Sequence, residues 1–140
     1  MKLGKTVVGF GKIPAGSDAS TLWHLFQAGE KPVMMTSGTW WGGDSGENMA
    51  LYLAPPGPSI ANGTQSPADY GGDERNAIAA VAGTLAGGEY TNVKKGSIFT
   101  NYLRGSMILY VPANWTVLIH QEAANTNTWK VSLQGFEIEG

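Results

Sequence analysis

The chain has 140 residues, a formal net charge of −2 and no cysteine; charged residues make up 14% of it and glycine fills 20 positions. Disulfide scaffolds, cysteine zinc sites and thiol catalysis are therefore excluded. An acidic chain with so few cations is also a poor match for nucleic acid, whose phosphates require clustered Lys and Arg.

The hydrophobic share is 42%, with five Trp, five Tyr and four Phe, enough to fill the core of one domain spanning residues 1–140. No apolar run reaches the ~18–20 residues of a membrane span, and residues 1–6 lack the apolar stretch of a signal peptide. A free monomer is usually kept soluble by a charged surface, so sparse charge suits a chain that shares its surface with neighbours.

Residues 5–10 are short and β-branched and read as a strand. Residues 1–16 as a whole read either as an arm laid on an adjacent subunit by strand addition or as a frayed or internal strand. Residues 14–18 carry turn chemistry. Strands are expected at 21–27 and 33–41, separated by a turn at 28–32, and again at 48–53 after the glycine-rich loop 42–46. Residues 55–73 form a long loop of Pro, Gly, Ser, Asn and Asp, anchored by Ile60 and Tyr70. The stretch 76–85 fits both helical spacing and alternation; Gly83-Thr84 favours a strand.

Further strand-like runs follow at 89–93, 98–103, 107–111 and 115–121, with Pro112-Ala113-Asn114 as a turn. In the last run Trp129, Val131 and Leu133 alternate with Lys130, Ser132 and Gln134. That period of two is expected of a strand with one buried face, and Gly135 marks a bulge or bend that shifts the register. The expected fold is all-β: an antiparallel, jelly-roll-like β-sandwich with a long Pro/Gly-rich loop, the alternative being a small barrel.

Chemistry-bearing patterns are few. Gly43-Asp44-Ser45-Gly46 matches the surroundings of a serine-protease nucleophile, but the chain is too short for that two-barrel fold. The tetrapeptide reads as a turn. The two histidines, His24 and His120, lie in apolar runs and read as core-edge or interface groups. Asp69, Asp73 and Glu74 beside Gly71-Gly72 lack the spacing of a Ca²⁺ loop and read as solvated turn carboxylates. Gly9-Phe10-Gly11 has no helix after it to receive a phosphate. Asn62-Gly63-Thr64 and Asn114-Trp115-Thr116 match the glycosylation sequon by chance. No catalytic residue, metal site or cofactor is expected. Trp23 and Trp129 read as core, while Trp40, Trp41 and Trp115 read as core or interface, with a sugar-stacking platform as the competing use.

Three stretches carry a resemblance. Residues 21–31 are a strand feeding an Ala-Gly turn; Thr84-Leu85-Ala86-Gly87-Gly88-Glu89 repeats that turn; and Val131-Ser132-Leu133-Gln134-Gly135-Phe136-Glu137-Ile138 closes the chain. This order resembles small β-structured virion proteins of tailed bacteriophages over residues 21–138. It departs from them in the loop 55–73 and at Pro112-Ala113-Asn114-Trp115. The resemblance implies a non-enzymatic virion protein, a homotrimer that contacts the major capsid protein or other virion proteins as head cement or decoration. The alternatives are a tail or baseplate position or a carbohydrate (receptor)-binding module. Phe10, Trp40, Trp41, Tyr70 and Trp115 are the candidate contact residues; no nucleic acid and no membrane partner is expected.

Overall fold

The computed structural model describes residues 2–18, 21–42, 48–56, 61–65, 85–86, 95–97, 109–121 and 126–139. These hold strands β1 (Lys2–Ile13), β2 (Thr21–Gln27), β3 (Val33–Gly42), β4 (Asn48–Ala54), β5 (Thr64–Gln65), β6 (Leu85–Ala86), β7 (Lys95–Ser97), β8 (Leu109–Val111), β9 (Thr116–Gln121) and β10 (Trp129–Glu139), with no helix among the described residues. The all-β expectation therefore holds. The loop 42–46 beyond Gly42, most of the loop 55–73 with Tyr70, the expected element 76–85 except Leu85, and those at 89–93 and 98–103 lie outside the described residues.

The strands form two antiparallel sheets. In the first, β1, β10, β3 and β7 lie side by side, and β8 joins β3 as well. β8 pairs with Val33–Met35 while β7 pairs with Thr39–Trp41, so the two short strands follow one another along β3. In the second sheet the order is β5-β2-β9-β4-β6. Of residues 1–16, the part from Lys2 to Ile13 pairs within the chain against β10.

One core joins the sheets. The first contributes Ile13, Met35, Trp40, Trp129, Val131 and Leu133, and the second Leu25, Leu51, Val117 and Ile119. The indoles of Trp40 and Trp129 meet at a centroid distance of 5.5 Å and 48°, a tilted geometry favoured by the ring quadrupoles. Leu22 and Leu118 alternate with inward-facing neighbours on β2 and β9, yet each is only 1% exposed, so the second sheet is buried there on both sides.

Glycines set how closely the backbones approach. A Cβ on Gly9 would lie 2.7 Å from the Phe26 Cβ, and one on Gly11 would lie 2.6 Å from the His24 carbonyl oxygen. The Gly-x-Gly pattern that led to no phosphate site thus lets β1 press onto β2, where the sheets meet. Gly135 behaves as expected: β10 runs on from Gln134, opposite Ser37, to Gly135, opposite Met35, leaving Thr36 of β3 as the extra residue of a bulge. A Cβ on Gly135 would collide with the Met34 carbonyl oxygen.

The turns follow their sequences. Ser17 donates its N–H and its hydroxyl to the Pro14 carbonyl, at 3.3 and 2.7 Å, around Gly16 at φ +80°. Asn114 takes a left-handed φ of 67°, and the Trp115 N–H closes on the Pro112 carbonyl at 3.1 Å.

Candidate functional site

The outward face of the first sheet is built by cross-strand rows, because directly opposed residues share a face. One row runs Lys12, Lys130 and Trp41 across β1, β10 and β3. The next runs Phe10, Ser132, Thr39; the third Val8, Gln134, Ser37; the fourth Thr6, Phe136, Met34, Tyr110. Alternation along β1 turns Val7, Gly9, Gly11 and Ile13 inward and leaves Val8, Phe10 and Lys12 outside.

This face is unusually apolar for one open to water. Val8 is 60% exposed, Phe10 55% and Tyr110 52%. Leu3, also 52% exposed, stands opposite Ile138 at the far end. Val8 and Phe10 are neighbours on this face of β1, and exposed apolar neighbours mark an interaction site more often than scattered single residues do. The Phe10 and Trp41 rings meet at 6.1 Å and 46°. Ser37 donates to the Gln134 side-chain oxygen at 3.3 Å in the middle of the face.

The candidate residues separate. Phe10 and Trp41 come together on the open face. Trp40 is the correction: it is 0% exposed and faces the core, so it offers no surface to a neighbour. Its neighbour Trp41 points the other way because successive side chains of a strand alternate. Trp115 is half-buried against the core, and its carbonyl accepts the Ala28 N–H at 3.0 Å. Tyr70 lies outside the described residues. Val8, Tyr110 and the lysine row were missed from the sequence. The signal was present in β1, where Val8, Phe10 and Lys12 share one parity.

The other motifs carry little chemistry. His24 is exposed, and its backbone N–H donates to the Asn62 side-chain oxygen at 2.7 Å, so that sequon asparagine ties the 61–63 turn to β2. A register shift falls between His24 and Phe26, and Phe26 packs against the core while His24 is exposed. His120 pairs in backbone register with Leu22 and Ala50. The Asp44–Ser45 turn and the carboxylates Asp69, Asp73 and Glu74 lie outside the described residues. Among the described residues no three His, Asp or Glu side chains cluster to hold a metal ion. The one described ion pair, Lys31 Nζ to Glu139 Oε1 at 2.8 Å, is exposed; the hydrogen bond and charge of Glu139, helped by the charge of Glu137, hold the lysine pKa above its ordinary 10.5.

No family model matches the sequence, and no curated protein matches it. The fold is similar to that of a chain in the "Acidic stable capsid structure of Helicobacter pylori bacteriophage KHP30". The TM-score is 0.54 at 8% identity, and the match covers 99% of this chain and 97% of that one. At that identity the likeness is one of fold.

Proposed function

We propose that the protein is a non-enzymatic structural component of a bacteriophage virion, and specifically a cement or decoration protein on the capsid shell. The observation that carries this reading is the end-to-end likeness to a chain in a phage capsid structure, in which neither chain leaves an unmatched domain. The open apolar face of the first sheet supports it, because a cement acts by burying surface at subunit joints rather than by turning over a substrate. Each Å² of apolar surface buried contributes about 25 cal/mol, and symmetry repeats the gain around the shell. A jelly-roll connectivity and a homotrimer complete the proposal; both come from the resemblance to small phage virion proteins.

A carbohydrate-binding role has one observation in its favour, the outward pair of exposed Phe10 and half-buried Trp41. Its rings are inclined by 46°, so they make no flat platform for a sugar ring. A tail or baseplate position uses the same contact face and differs only in the neighbour. The test is to add the purified protein to shells that lack it. Cosedimentation and a gain in heat resistance are expected; absence of binding to shells removes the head assignment.

A further inference from the structure

The face proposed to meet a neighbour also states which kind of neighbour. Lys12 and Lys130 are directly opposed on β1 and β10, and Trp41 stands opposite Lys130 on β3. Like charges directly opposite one another destabilise a sheet. Neither Lys12 nor Lys130 has an ion-pair partner among the described residues. The described carboxylates are elsewhere: Glu137 and Glu139 hold the alternate positions of β10, with Glu139 occupied by Lys31, and Asp18 and Glu30 lie in turns. Among the described residues, the outward face of the first sheet is thus cationic and apolar.

We infer that the Lys12–Lys130–Trp41 row with Phe10 is a docking surface for an acidic, extended segment of a neighbouring protein chain, its carboxylates paired with the lysines and its apolar residues laid on the aromatic pair. This rests on the reading above only in making that neighbour another subunit of the particle. Charge complementarity selects the occupant. A second copy of this face would set lysine against lysine. A duplex would require a denser basic surface than a few lysines among Val8, Phe10, Trp41 and Tyr110. An acidic segment with alternating apolar residues satisfies both halves of the face and is captured by electrostatic steering that salt weakens.

The test uses the full chain, a short peptide of alternating Glu and Val, a matched Lys and Val peptide, and a DNA duplex, with binding followed by chemical-shift changes. The Glu peptide is expected to move the signals of Phe10, Trp41 and both lysines. Binding should weaken about two- to fivefold for each lysine changed to Gln and weaken further as salt shortens the Debye length. Lys12→Glu with Lys130→Glu should reverse the preference and take up the Lys peptide, which a merely unfolded variant cannot do. No binding of the Glu peptide, equal binding of both peptides by the wild type, tighter binding of the duplex, or no reversal in the double variant would each overturn the inference. Shells separate the two claims. If wild type and double variant bind them equally, the acidic partner is wrong and the shell role stands. If neither binds while the peptide results hold, the shell role fails alone.

Discussion

Phe10 and Trp41 lie on strands that are not neighbours, yet their rings meet. β10 runs between them; Phe10 is opposite Ser132 and Trp41 opposite Lys130, so the 6.1 Å contact is a diagonal across β10. The pair binds the outer face together across three strands without entering the core. Phe10→Ala and Trp41→Ala are therefore expected to leave the fold intact while removing most binding to shells. Circular dichroism and cosedimentation, run side by side, check this; loss of folding in either variant would contradict it.

Trp40→Ala should behave in the opposite manner. The ring is wholly buried against Trp129, and truncating a buried Trp costs about 3–5 kcal/mol. Total stabilities of about 5–15 kcal/mol leave little margin for that loss. Denaturant titration should show a marginal or unfolded protein from a substitution one residue away from a tolerated one.

Lys12→Glu should stabilise the free protein. It replaces a like-charge pair with an attractive pair to Lys130, worth about 0.2–1 kcal/mol at low salt. A higher melting temperature accompanied by weaker partner binding is the expected outcome; a lower melting temperature would show that the opposed lysines are not repelling.

Two glycines distinguish close approach from mere turn composition. Gly135→Ala places a methyl group against the Met34 carbonyl and 2.7 Å from the Met35 Cα, and overpacking of this kind costs about 1–3 kcal/mol. Gly29 has nothing within 4 Å of an added Cβ, and Gly29→Ala should be neutral or stabilise by about 0.4–1 kcal/mol. Thermal melts of the two variants give the comparison directly.

The Lys31–Glu139 pair gives a pH signature. The folded-state pKa of Lys31 is raised, so its contribution is fully present below the ordinary 10.5 and is lost as pH rises through the raised value. Exposure and screening keep that contribution small. Wild type and Glu139→Gln should differ slightly at neutral pH and converge in strong alkali, as followed by melting temperature against pH.

Much of the strand pattern was legible because the chain announces it locally. Thr21–Gln27 and Trp129–Glu139 follow from β-branched and aromatic runs closed by Pro, Gly and Asn. β1 extends beyond the expected 5–10 at both ends, from Lys2 to Ile13, because pairing with β10 carries it on to the turn that begins at Pro14. Trp40 and Trp41 both read as contact candidates, and which of them is buried depends on the bulge in β3. Val33 and Met35 point inward, and strict alternation would then bury Trp41. The extra residue Thr36 reverses the parity and buries Trp40 instead. Gly135 signalled the irregularity, but its effect falls on the partner strand, which pairing across about a hundred residues of chain decides. The lysine row has the same character: Lys12, Lys130 and Trp41 are scattered in sequence and meet only through register.

β1 has a further consequence. It is 12 residues long, lies at the margin of its sheet among the described strands, and carries Lys2, Lys5 and Lys12 with no acid. An open margin of that length is a template on which identical chains can add one after another into fibres, and repeated positive charge makes an identical margin a poor fit. The same charge makes a strand rich in acidic residues a better fit to this margin than an identical one.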